Sequence, residues 1–215
     1  MSWFKCDCEE FWCTRHQKHA FECQCPPIEE WEADPYIRRP VMLDLFSGQG
    51  GASSAMVERR WDVVTVDNGP EFGCTVTADI NQLKWTGDRR VDLIWASPPC
   101  TEFSRESMPW CKTGNAPSLD LVKAALRIVE EVKPAWWVLE NVRGSVPWLT
   151  PILGHPMAKT GPVYMWGNLP PMLIPRVLPY KEKISGKRPD LRSMIPYELS
   201  RAVAVAVEKA AKESL

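Results

Sequence analysis

At 215 residues, 45% hydrophobic and 25% charged, the chain has the composition of an ordinary globular protein, with room for one full core and one small appendage. A formal net charge of −1 excludes a strong whole-molecule electrostatic grip on a phosphate backbone. No apolar run of about 18 residues occurs, and the amino terminus lacks a basic stretch followed by an apolar one, so neither a membrane span nor a secretory signal is expected.

Residues 1–35 differ in composition from the rest of the chain. Cys6, Cys8, Cys13, His16, His19, Cys23 and Cys25 alternate with Trp3, Phe4, Phe11, Trp12, Phe21 and Trp31. Thiols and imidazoles at such short spacing suit tetrahedral Zn²⁺, and a segment this small needs a metal to supply the stability its core cannot. Cys13, His16, Cys23 and Cys25 form the neatest ligand set, with Cys6, Cys8 and His19 as substitutes. The alternatives are a flexible tail, or disulfides in an exported protein. Five of the eight cysteines lie here and the rest are scattered, which fits a reducing compartment with one metal site better than a disulfide framework.

Pro26-Pro27 and Asp34-Pro35 punctuate a linker, and residues 36–215 form the second unit. Val41–Phe46 reads as a buried strand, Ser47–Gly51 as a tight glycine turn, Ala52–Arg60 as a helix opening from it, and Trp61–Val66 as a strand ending in Asp67. Strand, glycine turn, helix, strand, acid is the opening of a doubly wound α/β nucleotide-binding fold. Gly48 and Gly50 let a ligand approach the backbone. Asp67 lies 19 residues past Gly48, near the spacing of about 20 at which an acid meets ribose hydroxyls; the alternative is that it caps the next turn.

Thr75–Thr77 precedes Asp79-Ile80. Val91–Ala96 then reads as a strand, followed by Ser97-Pro98-Pro99-Cys100. A crossover helix at Ser118–Val132 leads to a strand at Ala135–Leu139, followed by Glu140-Asn141-Val142. A thiol and a carboxyl just past the carboxyl ends of neighbouring parallel strands face one crevice. With strands roughly 4.8 Å apart, both reach one ring-sized substrate, as a nucleophile with an acid beside it. Val163–Trp166 reads as a strand and Gly167–Pro189 as extended loop. The cations Arg176, Lys181, Lys183, Lys187, Arg188 and Arg192 form either a local basic patch or a solvated loop. Tyr197–Ala211 closes with a helix after Pro196.

Three of these motifs resemble, in order and spacing, those of the DNA (cytosine-5) methyltransferases: Asp44-Leu-Phe-Ser-Gly-Gln-Gly-Gly51, Pro98-Pro-Cys-Thr-Glu-Phe-Ser104 and Glu140-Asn-Val142. Tyr164-Met-Trp-Gly-Asn-Leu-Pro170 is similar to the strand after the eighth family motif. The resemblance implies a Rossmann-like S-adenosylmethionine-dependent methyltransferase fold. It implies that Phe46, Ser47, Gly48, Gly50 and Pro98 line the donor, that Asp67 holds its ribose, and that Asp79 and Ile80 hold its adenine. Cys100 would add as thiolate to carbon 6 of a cytosine in DNA while Glu140 serves nitrogen 3. The base would be flipped out or single-stranded, with Phe103, Ser104 and Trp110 closing over it.

The chain departs from that family at two places. Gly161 and Val163 stand where the eighth motif carries arginines, leaving Lys159 or Arg176 as replacements. Only Pro170–Ser193 is available where members usually insert a recognition domain, so sequence specificity is expected to be short, relaxed, or borrowed from the zinc segment or a partner chain. Such compact forms resemble those of bacteriophages, which implies the cytoplasm of a bacterial host. The same chemistry on RNA or a free cytosine nucleotide, and a nonenzymatic DNA-binding subunit, are the competing readings.

Overall fold

A computed structural model describes residues 39–87, 89–104, 115–175 and 194–213, together with the backbone of three short strands nearer the amino terminus. Those strands, β1 (Trp3–Lys5), β2 (Phe11–Cys13) and β3 (Lys18–His19), form an antiparallel sheet in chain order, pairing Trp3 with Cys13 and Trp12 with His19.

The larger unit begins with β4 (Val41–Leu45), buried at every position. Val41, Leu43 and Leu45 face one layer while Met42 and Asp44 face the other, as the two-residue period of a strand covered on both sides requires. After a turn come α1 (Ser54–Glu58), β5 (Asp62–Asp67) and β6 (Val76–Thr77). Then follow β7 (Leu93–Ala96), the single turn α2 (Thr101–Ser104), α3 (Asp120–Val132) and β8 (Trp136–Val142). The order ends with α4 (Val146–Leu153), β9 (Ala158–Thr160), β10 (Val163–Gly167) and α5 (Tyr197–Glu213). No helix among the described residues is long and apolar enough to cross a membrane.

These strands make one sheet in the order β6-β5-β4-β7-β8-β10-β9, parallel from β6 to β8 and closed at one edge by the antiparallel β9–β10 hairpin. The connections from β4 leave in opposite directions, toward β5 and, later, toward β7. The carboxyl ends of β4 and β7 therefore flank the switch point where α/β sheets bind ligands. One face carries α3 over Leu43, Leu45, Ile94, Ala125 and Ile128; the other carries α1 and α5 over Met42, Met56, Trp95, Leu199 and Val203. Phe103, Leu139, Leu149 and Trp166 form a third cluster beneath α2 and α4.

The elements expected at β4, β5, β7, α3, β10 and α5 are present, and several bounds move. Glu140 lies inside β8 rather than beyond its end. The parallel ladder with β7 stops at Leu139, while the antiparallel ladder with β10 continues to Val142. The first helix is shorter than Ala52–Arg60, because the turn runs through Ser53 and Arg60 adopts a left-handed φ of 60°. Its amino terminus is capped from a distance: Ser200 Oγ accepts the Ala55 N–H at 3.1 Å and donates to the Ala52 carbonyl at 2.6 Å. Gly51 permits this approach, since a Cβ there would lie 2.7 Å from the Ile195 nitrogen.

Candidate active site

The thiol follows β7. Ser97 N–H still donates to the Leu45 carbonyl, so the ladder extends one residue before Pro98 and Pro99 turn the chain. Cys100 then opens α2, its carbonyl accepting from Ser104 N–H at 2.9 Å. Asn141 of β8 is buried, and its amide donates to the Pro98 carbonyl at 2.9 Å. Cys100 and Glu140 are held together by that bond and by the neighbouring ladders of β7 and β8.

The two groups are close enough for the charge of one to act on the other. Burial pushes the Cys100 thiol up, the Ser104 side chain offsets part of the rise, and the negative charge of Glu140 adds to it. Burial likewise raises the Glu140 carboxyl to about 7, against a smaller opposing effect of the Ser97 hydroxyl. Both residues keep partial exposure, so the sulfur is not sealed in hydrocarbon. A carboxyl that is neutral near pH 7 can donate a proton, and in that state it no longer opposes ionisation of the thiol.

Beside them, the β4 turn forms a cradle. Phe46, Gly48 and Gly50 all have left-handed φ, of 62°, 48° and 75°. Such a value is uncommon for a phenylalanine. A Cβ on Gly48 would meet nothing within 4 Å, so open space lies against the backbone there. Ser47 is buried, with its hydroxyl 3.1 Å from the Cys74 sulfur. Asp67 accepts from Gly48 N–H at 2.9 Å and from Gly69 N–H at 3.0 Å; it ties the glycine turn to β5 and caps the following turn as well.

Asp44 was not legible as a site residue. It is wholly buried beneath the turn, neither carboxylate oxygen makes a hydrogen bond of normal geometry, and burial lifts it to about 7, with the nearby Ser53 hydroxyl and N–H opposing and Asp67 adding to the rise. Open space against the Gly48 backbone and an acid, Asp67, at the end of β5 suit a hydroxyl-bearing ligand such as S-adenosylmethionine. Farther out, Asp79 accepts from Asn81 N–H and Nδ2, and Ile80 is buried in the α3-side core. Arg127 of α3 pins that segment through the carbonyls of Ile80 (3.1 Å) and Leu83 (2.8 Å).

Other expected contributors fall elsewhere. Phe103 is buried against Leu139, Leu149 and Trp166 and belongs to the core rather than to a cover over the site. Lys159 pairs with Tyr164, and its Nζ lies 5.2 Å from that ring. Tyr164 pairs with Asn141 while Met165 pairs with Glu140, so Lys159 occupies the face opposite the carboxyl and cannot replace an arginine there. Gly161, at φ 54°, makes the β9–β10 turn, and Val163 is buried in the core; hairpin geometry and packing occupy both arginine positions. Trp110, Arg176 and the other cations of the basic run lie outside the described residues. So do His16, Cys23 and Cys25; Cys13 is described only as backbone in β2. Among the described residues no three His, Cys, Asp or Glu side chains gather as a metal centre.

Residues 41–147 match the family described as C-5 cytosine-specific DNA methylase. A protein of Frog virus 3 (isolate Goorha) named "Probable DNA (cytosine-5)-methyltransferase" is 30% identical over 46% of this chain and 52% of its own length. The type II methyltransferase M.XorII of Xanthomonas oryzae pv. oryzae is 27% identical over 50% of this chain and 29% of its own. The chain thus spans about half or less of the length of these relatives. Among solved structures, the methyltransferase EhMeth of Entamoeba histolytica is similar over 69% of this chain and 56% of its own, at 15% identity and a TM-score of 0.43. With the glycine turn, the thiol loop and the Glu-Asn-Val strand all inside the matched stretch, the chain belongs to the family of C-5 cytosine-specific DNA methylases.

Proposed function

We propose that this chain methylates carbon 5 of cytosine in DNA through a transient bond between the Cys100 sulfur and carbon 6 of the ring. The observation that carries this reading is the pairing of Cys100 with a Glu140 carboxyl raised to about 7, at adjoining strands beside the glycine cradle.

Carbon 5 of cytosine is too weak a nucleophile to take a methyl group unaided. The Cys100 thiolate forms a bond to carbon 6 while Glu140 gives its proton to nitrogen 3; the 5,6 π electrons move into a 4,5 double bond as the 3,4 C=N electrons pass to nitrogen 3, and the resulting enamine is nucleophilic at carbon 5. S-adenosylmethionine, when bound, supplies the electrophilic methyl group. Phe46, Ser47, Gly48, Gly50 and Pro98 line it, Asp67 holds its ribose, and Asp79 with Ile80 holds its adenine. Loss of the carbon 5 proton to solvent then re-forms the double bond, expels the Cys100 thiolate and returns the proton from nitrogen 3 to Glu140. Because carbon 6 is inaccessible within a stacked duplex, the cytosine is flipped out or single-stranded. Residues 1–35 hold one Zn²⁺ in this reading, supported by their Cys and His content, and metal analysis of the purified chain checks it.

Incubation with methyl-labelled S-adenosylmethionine and cytosine-containing DNA is expected to label the DNA, and Cys100→Ser to abolish labelling. DNA carrying 5-fluorocytosine, which has no carbon 5 proton to lose, is expected to trap the parent chain covalently. Labelling confined to RNA or free nucleotide would move the substrate class; no labelling of any acceptor and no adduct would overturn the reading.

A further inference from the structure

The register of β7 and β8 brings a third side chain to the carboxyl. Trp95 pairs with Val138 and Ala96 with Leu139, so the next residue of each strand, Ser97 and Glu140, come side by side on one face of the sheet. Trp95, two residues before Ser97, shares that face. It is fully buried, and its indole N–H donates to Ser97 Oγ at 3.0 Å.

An indole N–H can only donate. It therefore occupies the Ser97 oxygen as an acceptor and leaves the hydroxyl proton to be given elsewhere. Beside it by register is Glu140, and the Ser97 hydroxyl favours the ionised form of that carboxyl. On β10 the residue paired with Glu140 is Met165, which carries neither charge nor donor. Nearby titratable groups on the packed elements are Cys100, at the start of α2, and Asp44, which pairs with Trp95 from β4.

We propose that Trp95 and Ser97 are positioning residues for the methyl transfer: the indole directs the Ser97 hydroxyl proton onto one oxygen of Glu140, so the other oxygen carries the transferable proton and faces the pyrimidine. Ser97 keeps its own proton throughout, and the proton exchanged with nitrogen 3 is the one on Glu140. This inference rests on the reactive role given to Glu140 above. It explains how a carboxyl without a cation opposite it on the neighbouring strand holds a single orientation.

The test is a carbon-13 NMR titration of the full chain with labelled glutamate carboxyls, the Glu140 resonance being identified by its loss in Glu140→Gln. Ser97→Ala is expected to raise the Glu140 midpoint by about half a pH unit or more, and Ser97→Thr, which keeps the hydroxyl, to restore it. Trp95→Phe, which keeps the ring and loses the donor, is expected to raise it by a smaller amount. The kcat for methyl transfer is expected to fall most in Ser97→Ala, less in Trp95→Phe and to be restored in Ser97→Thr, with KM for DNA little changed. A Ser97→Ala midpoint equal to that of an active parent overturns the relay and leaves the proposed reaction standing. A parent that transfers no methyl group to any cytosine acceptor overturns the reaction, whatever the titration shows.

Discussion

Asn141 donates its side-chain amide to the carbonyl of Pro98 at 2.9 Å, so the loop that carries the thiol and the strand that carries the carboxyl are joined by a buried hydrogen bond just beside the reactive pair. Asn141→Ala leaves the Pro98 carbonyl without that donor in a buried setting. The expected cost is about 1–3 kcal/mol, seen as a lowered melting temperature. The larger effect falls on methyl transfer, because a displacement of about 1 Å between reacting groups costs roughly a hundredfold in rate. Donor binding, measured by calorimetry with S-adenosylmethionine, is expected to change little. If kcat and donor affinity fell together, the bond would be supporting the whole sheet edge rather than aligning the pair.

The ionisation of that pair sets a pH profile. The productive form has a neutral Glu140 and an ionised Cys100, the reverse of the order in which the groups lose protons, since Glu140 titrates about 7 and the buried thiol higher. Below pH 7 both are protonated, and the productive fraction rises about tenfold per unit. Above it, the gain in thiolate is cancelled by the loss of acid, and the fraction is flat until the thiol itself titrates. A plot of kcat/KM against pH is therefore expected to rise to a midpoint near 7 and then level off. In Glu140→Gln, which has no proton to lose, the residual rate is expected to fall about 10²–10⁴-fold and to keep rising past pH 7, toward the titration of the thiol. A residual rate that still levelled off near pH 7 would remove Glu140 from the acid limb.

Much of this site was readable because its signals are local. β4, with every position apolar or buried, the glycines after it and the acid 19 residues beyond Gly48 lie within one short stretch. The thiol and carboxyl each sit next to an apolar run. Features that depend on distant partners or on short elements were not legible in the same way. The α4 helix contains Pro147 in its first turn and Pro151 in its interior, which reads as loop by propensity. The three residues of β9 form a strand only because β10 lies beside them. Ser200 caps α1 from 145 residues away, and no local pattern announces such a bond. Asp44 reads as a polar residue in a strand; only the fold shows that its carboxyl is sealed and without a hydrogen bond of normal geometry.

That sealed carboxyl makes stability depend on pH in a direction opposite to the usual one for an acid. Folding raises the Asp44 carboxyl from 3.8 to about 7, so the folded chain retains a proton that the unfolded chain has already released. The contribution is fully favourable below 3.8 and is lost as pH rises toward about 7. With about 1.4 kcal/mol per pH unit over that interval, the loss is on the order of 4 kcal/mol. Glu140 adds an effect of the same sign. Asp44→Asn, which keeps the shape and removes the titration, is expected to flatten the dependence: the variant should gain stability relative to the parent between pH 5 and 8, measured by urea unfolding. An unchanged slope would show that Asp44 is solvated or paired in solution.

Restoring the family's arginines tests whether this chain could use them at all. Val163 is buried, on the face of β10 that packs against Met42, Trp95 and α5. A guanidinium at that position must either lose its water or drive the hairpin away from the core. Val163→Arg is therefore expected to destabilise the chain by about 3 kcal/mol or more and to lower methyl transfer rather than improve it. Gly161 has φ 54° at the turn between β9 and β10, so Gly161→Arg adds a backbone cost of about 1–2 kcal/mol, while its side chain, at an exposed position, need not disturb the core. Melting temperatures and initial rates of both variants decide the matter. Higher activity in Val163→Arg at unchanged stability would mean that the hairpin opens to let a cation reach Glu140.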